Sequence, residues 1–377
     1  MLVRFIFLLG ILLAVLPPPD LRAATSPSIR VGIVREQDRV PISSDRQMEL
    51  VSSTFQRATL PAGNYDVLSS PGAIEISGVG QFGDTVRVVP SQGARVRVAT
   101  RPYRGVIEIR RTLSGRLTAI NELDLEEYLY GVLKLEVDPR WPPEALKAQA
   151  VASRTVAFYS LGRYAREGFD VRPTTETQVY GGVSAEDART NAAVDATRGE
   201  IMTFANRPIF AAFHSDSGGH TESSEYVWGG RYFYLKGVSD PYSAGAASQQ
   251  WNVRVDLTAI EERLRRTGKT LYGVTGVEVT ETSPSGRARS VRITSETGTL
   301  NLKGTEVRSL LGGDQIKSTL FLVRAAPDAP TAVMFSGRGS GHGVGMSQWG
   351  ARGLALLGRG YQEILRYYYS GISFETR

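Results

Sequence analysis

Residues Asn121 to Gly168 read NELDLEEYLYGVLKLEVDPRWPPEALKAQAVASRTVAFYSLGRYAREG, and they decide the fold. Here the two-residue alternation of the preceding chain gives way to helical spacing. Asp124 followed three residues later by Glu127 is a capping-box-like start, which predicts a helix from Leu125. Pro139, Pro142 and Pro143 interrupt it. Pro143 suits the first turn of a second helix, which carries Ala145, Leu146, Ala150, Val151 and Phe158 on its apolar positions.

Working upstream, IRVGIV (Ile29–Val34), AIEISGV (Ala73–Val79), TVRVVP (Thr85–Pro90), ARVRVA (Ala94–Ala99) and GVIEIRR (Gly105–Arg111) alternate apolar and polar residues between Gly, Pro and Ser clusters. This is the pattern of half-buried strands, so residues 27–115 read as an antiparallel β domain. Downstream, residues 116–377 read as a mixed α+β domain: strands and loops beyond residue 170, a helix over Leu257–Arg266, strands to Leu302, and a last helix over Tyr361–Tyr369. The fold class is therefore α+β, with 41% hydrophobic and 22% charged residues to support a folded core rather than disorder.

The first residues, MLVRFIFLLGILLAVLPPPDLRAATS, place Arg4 before an apolar run from Phe5 to Leu16, then three prolines and Ala23–Ala24. That run is shorter than the roughly 18 to 20 residues a bilayer-spanning helix needs. Residues 1–24 read as a signal peptide, and the expected location is the periplasm, the cell wall or the outer face of the cytoplasmic membrane. The chain has no cysteine, which excludes disulfides, a lipoprotein anchor, a thiol nucleophile and thiolate metal sites. A formal charge of +6 and a pI near 9.5 suit a polyanionic partner; outside the membrane that favours a cell-wall polymer over nucleic acid.

Chemistry concentrates around LKLEVDPRWPP. Glu136 is flanked by Leu135, Val137 and Trp141, surroundings that would desolvate its carboxyl, raise its pKa and equip it to donate a proton. The alternative is a helix-end glutamate paired with Arg140. Lys147 and Arg154, seven residues apart, share a helix face and could bind an anion opposite Glu136.

Two of the three histidines, His214 and His220, lie in FHSDSGGHTESSEYVWGG, and the third, His342, in GSGHGVGMSQWGA. DSGG marks Ser217 as a serine nucleophile candidate, but no histidine precedes His214 to complete a chymotrypsin-like order. There is no H-E-x-x-H, and the expectation is that no metal is held. The glycines from Gly339 to Gly350 read either as a surface pressed against a ligand or as tight turns and close internal packing. No further cofactor motif appears.

In order along residues 115–375, EEYLYGVLKLEV, WPPEALKAQAVASRT, TETQVYGG, AVDATRGEIMTFANRPIFAAFHSDSGG, YLKGVSDPYS and GRGSGHGVGMSQWGARGLALLGRGYQEILRYYYSG resemble the SpoIID/LytB family of sporulation proteins and amidase enhancers. The resemblance implies a SpoIID-type domain over 116–377 and a lytic transglycosylase acting on peptidoglycan strands stripped of their peptide stems. Its catalytic glutamate maps to Glu136. Substrate contacts map to Lys147, Arg154, Gln178, His214, Ser215, Ser217, Tyr234, Lys236, His342 and Gln348. The same resemblance implies a second role, enhancement of a separate N-acetylmuramoyl-L-alanine amidase. Peptidoglycan glycan strands are the expected partner in either case. Some members hold zinc through histidine and cysteine in the block matched by FHSDSGG, and the cysteines are missing here.

Overall fold

A computed structural model describes residues 27–377 apart from 244, 247–249 and 328; the signal-peptide expectation for 1–24 lies outside the described residues. The chain is α+β. Its first part is built from two six-stranded sheets in which every pairing is antiparallel. One sheet orders Ser28–Gln37, Leu117–Asp124, Val106–Arg111, Thr85–Pro90, Met48–Ser52 and Arg57–Leu60. The other centres on Arg39–Ser44 beside Gly63–Ser70. Alternation fixes the inner face: Met48 and Leu50, Val86 and Val88, and Ile107 and Ile109 are fully buried, while Arg87 between its valines reaches Glu122 at 2.9 Å on the outer face.

Helix α1 (Leu125–Glu136) leaves this sheet directly. Asp124 caps it by accepting from the Glu126 and Glu127 backbone N–H groups at 2.8 and 3.4 Å, an arrangement worth about 1 kcal/mol. Helix α2 (Pro143–Tyr159) starts on a proline, as expected, and is nearly all buried. Its buried Ala148, Ala150, Ala152 and Ala157 are small enough for neighbouring elements to pack closely around it. Those neighbours are α1, α3 (Ala188–Ala196) and the strand Glu200–Phe204.

The chain continues through a short α4 (Ser224–Trp228) and then an excursion with its own core, from Trp251 to Gly337. That excursion holds two three-stranded sheets, α5 (Leu257–Arg266) and α6 (Gly304–Leu311). It enters and leaves through paired strands, with Trp251 opposite Gly337. Helices α7 (Gln348–Leu356) and α8 (Tyr361–Tyr368) close the fold against α2, and Ser373–Thr376 pairs with Glu200–Phe204.

The expected helices at Leu125, Pro143, Leu257 and Tyr361 are present. Four others, α3, α4, α6 and α7, are not legible by periodicity. In α7 the reason is chemical: Gly350 and Gly353 each weaken helix propensity by about 1 kcal/mol. A Cβ at Gly350 would fall 2.1 Å from the Tyr368 hydroxyl, so packing requires the residue that hides the helix.

Candidate functional site

Glu136 ends α1, and Val137 leaves the helix in an extended conformation. The carboxyl therefore projects from a fixed helix end into a cleft of about 380 Å³. One wall is aromatic, with Phe210, Phe213, Trp228 and His342; the other carries Arg163, Thr175, Glu176, Thr177 and Gln178. Phe210 lies 5.4 Å from Trp228 and 5.5 Å from Tyr159 between ring centroids, and Trp228 lies 5.3 Å from His342, so the rings form a connected face. Such faces stack against sugar rings through their apolar C–H surfaces.

Burial pushes the Glu136 carboxyl up to about 7, against the opposing pull of hydrogen bonds from the Gln348 side chain and the Val179 backbone. Among the described residues no ion pair holds it down: Arg140, the alternative partner, pairs with Asp138 at 2.6 Å. Gln348 is itself braced, its amide donating to Gln149 at 3.4 Å, while Gln149 donates to Ser153 at 3.1 Å. Near neutral pH, a carboxyl set this way divides its population between acid and base forms, which suits one group to both donate and accept a proton.

Gln178 presents an unmet demand. It is 1% exposed, lines the cleft, and neither its amide nitrogen nor its amide oxygen has a hydrogen-bond partner among the described residues. A buried amide left in that state costs about 1–3 kcal/mol, a deficit that a ligand with matching polar groups removes.

His342 is neutral. Val344 donates its backbone N–H to Nδ1 at 3.0 Å, and burial holds the ring down to about 4. His214 lies behind it, ring centroids 5.5 Å apart, with Nδ1 3.1 Å from the Val344 carbonyl and its pKa well below the usual value through burial. Its Nε2 has no partner among the described residues. Among those residues no three of His, Asp and Glu gather in a metal-holding arrangement.

The structure thus brings Glu136, Gln178, His342 and Gln348 together. It places the other expected contacts elsewhere. Arg154 is a correction: it is 1% exposed and spends its guanidinium on Glu126 at 2.6 and 2.8 Å, Thr197 at 3.3 Å, and the Val194 and Glu200 carbonyls, both at 3.1 Å. The helix forms as the spacing of Lys147 and Arg154 requires, but at Arg154 its face turns toward α3 and the core. Lys147 pairs with Glu144 at 2.8 Å and lies 5.8 Å from the Tyr361 ring centre, outside the cleft lining.

Ser217 is buried and donates to Asp240 at 2.7 Å, and Asp240 also accepts from Tyr368 at 2.9 Å. Tyr234 accepts at its hydroxyl from the Phe210 N–H at 3.0 Å, so it positions the aromatic wall from behind. Ser215 accepts the Trp349 N–H at its carbonyl, and Lys236 is exposed; neither lines the cleft.

The glycine run packs closely at two positions. Gly341 and Gly345 have φ values of +103° and +71°, and a Cβ on them would meet His214 at 2.8 Å and the Ala212 carbonyl at 2.0 Å. These glycines let the loop press against residues 212–218 and pair Phe213–His214 with Met346–Ser347, so at Gly341 and Gly345 the run is a close internal packing surface. Arg163, Phe210 and Trp228 are cleft residues that the sequence did not single out. Trp228 stands four residues after Ser224 in the quoted histidine segment, but no periodicity there announced which way it would face.

The chain that sets this helix-end carboxyl over an aromatic, amide-bearing cleft has relatives of known family. A family model described as stage II sporulation protein matches residues 113–204, and one described as a domain of unknown function matches residues 236–345. Stage II sporulation protein D of Bacillus subtilis is 34% identical over 269 residues, 67% of this chain and 75% of that one. The amidase enhancer of the same organism is 29% identical over 363 residues, covering 83% of this chain and half of the longer relative. An uncharacterized protein of Brachyspira hyodysenteriae is 35% identical over 257 residues, 68% of each chain. The chain belongs to the SpoIID/LytB family.

Proposed function

We propose that this protein is a cell-wall enzyme, a peptidoglycan lytic transglycosylase that cleaves peptide-stripped glycan between N-acetylmuramic acid and N-acetylglucosamine. The observation that carries the reading is Glu136: a carboxyl raised to about 7, with no cation partner among the described residues, at an aromatic cleft whose other carboxylate, Glu176, is paired with Arg172 at 2.8 Å. Protonated Glu136 gives its proton to the glycosidic oxygen as the bond to the muramoyl C1 breaks. The resulting carboxylate then takes the proton of the C6 hydroxyl, whose oxygen bonds to C1 and closes a 1,6-anhydro ring. No water is consumed and no second carboxylate is needed, in contrast to paired-acid hydrolases.

The other residues orient the sugar. The Gln178 amide offers both a donor and an acceptor to a 2-acetamido group, and the aromatic face takes the ring. Removal of the peptide leaves a lactyl carboxylate on each muramic acid. Arg163 is the cation that lines the cleft and is its counter-ion here, in place of Lys147 and Arg154. A substrate of this kind lies outside the cytoplasmic membrane, and the protein works there.

Incubation with intact and with amidase-stripped strands, followed by mass analysis, tests the proposal: 1,6-anhydromuramoyl ends from stripped strands are expected. Reducing-end muramic acid would show hydrolysis instead. A second reading is favoured by the longer alignment with the amidase enhancer. It requires no glycan product and a clear stimulation of a separate N-acetylmuramoyl-L-alanine amidase.

A further inference from the structure

A second cleft, of about 400 Å³, opens where the β-rich part meets the segment after α2. It is lined by Arg35, Arg110, Arg111 and Arg166, with Glu36 and Glu167 as its only carboxylates. Glu167 is already engaged by Arg35 at 2.8 Å and by Arg172 at 2.9 Å. Glu36 accepts from the Ser114 hydroxyl at 2.5 Å. Arg111 reaches only an exposed Asp84, at 3.8 Å, and its buried Nε has no partner among the described residues. Arg110 and Arg166 make no ion pair with any described residue.

The backbone is shaped around these side chains. Gly168 has φ +88°, and a Cβ there would lie 1.7 Å from Arg110 Nη1, so this glycine leaves the space that the guanidinium occupies. Glu36 sits at φ +51°, where the first strand loses register between Val34 and Gln37. Bulges and strained non-glycine residues of this sort concentrate at functional surfaces.

The segment from Ser160 to Phe169 is a partition between two clefts: Ser160 and Arg163 line the Glu136 cleft, while Arg166, Glu167 and Phe169 line the arginine cleft. The two linings are thus joined by one short stretch of chain.

We propose that the arginine cleft is a remote subsite for the carboxylates of the same stripped glycan strand. The assignment of ligand rests on the reading of the Glu136 cleft given above. Arginine forks recognise carboxylates bidentately, and a second point of attachment raises the affinity for long strands without altering that for short ones.

The test is direct binding by the full chain carrying Glu136→Gln, so that strands stay intact, measured for a stripped tetrasaccharide and for long stripped strands. Arg110→Gln/Arg166→Gln should weaken long-strand binding about tenfold, the scale of one lost charge-assisted contact, and leave the tetrasaccharide within about twofold. Arg110→Lys/Arg166→Lys, which keeps charge and loses the forks, should fall between. Unchanged melting temperatures confirm that the variants fold, and the lysine pair serves if the glutamine pair does not.

Equal affinities of variant and parent for long strands would overturn the subsite while leaving the Glu136 reading intact. Loss of binding to a glycerol-phosphate polymer or to phosphatidylglycerol vesicles, with stripped glycan unaffected, would overturn it in favour of a phosphate ligand. Failure of the parent to bind stripped glycan of any length would remove both readings together.

Discussion

Helix α1 carries two glutamates withdrawn from water to different degrees, Glu126 fully buried in its first turn and Glu136 partly buried at its end, and their partners differ. Glu126 is 1% exposed and fully paired: Arg154 grips both oxygens, and the Gly199 N–H adds a third hydrogen bond at 3.1 Å. Glu136 receives only a side-chain amide and a backbone N–H, and burial outweighs both. Burial alone therefore does not make a carboxyl catalytic. The counter-charge differs: Arg154 occupies both oxygens of Glu126, whereas no cation among the described residues pairs with Glu136, whose carboxyl burial pushes up.

The sharpest way to break this contrast is to exchange the titrating group for its isostere. Glu136→Gln should lower strand cleavage by about 10²- to 10⁴-fold with little change in affinity for stripped glycan. Retained cleavage would remove Glu136 from catalysis and leave a glycan-binding protein.

Arg154→Met should act on the other glutamate, with about 3–5 kcal/mol of lost stability in denaturant unfolding, because Glu126 would be left buried and uncompensated. Replacing both partners, Glu126→Leu with Arg154→Met, should recover much of that loss. If Arg154→Met instead kept its stability and weakened glycan binding, the guanidinium would belong to a site after all.

A pH series sharpens the comparison next. The rate should be level below pH 7 and fall as pH rises through about 7, because the proton donor is then lost. The stability sign is the reverse of an ion-paired carboxylate. Glu136 has a folded pKa above its unfolded one, so the native state binds the extra proton between about 4.5 and 7 and is destabilised across that window as pH rises. Relative to wild type, Glu136→Gln should gain on the order of 3 kcal/mol at pH 8 and nothing at pH 4.

The smallest effects should come from the surface cations. Arg163→Ala should raise KM for stripped strands several-fold, less so at high salt, where exposed charges are screened. Lys147→Ala should change KM by less than about twofold, since Lys147 lies outside the cleft lining and its half-buried pair with Glu144 contributes about 1 kcal/mol. The reverse order would return the anion contact to α2.

Local chemistry was legible in proportion to how local it was. Asp124, Pro143 and the apolar neighbours of Glu136 act within a turn or two of themselves, and the helices and the desolvated carboxyl follow from them. The partners of Arg154 come from Glu126, 28 positions upstream, and from residues some 40 positions downstream, and nothing in helical spacing says which neighbour a cationic face will meet. Gln178 and Arg163 lie on loops, where no periodicity assigns a direction to a side chain. The glycines were conspicuous, yet their meaning depended on residues 212–218 lying against them.

The paired strands at Trp251 and Gly337 bring the two ends of the excursion side by side, immediately before the loop that carries His342. A segment joined in this way can be lengthened at its far end without moving either point of attachment, provided that Arg287 and Ser285, which donate to the Ser217 carbonyl and to Glu222, keep their places. Trp251 marks the junction, donating its indole N–H to the Gly339 carbonyl at 3.0 Å. Relatives could therefore diversify what the excursion does while inheriting the cleft beside it unaltered.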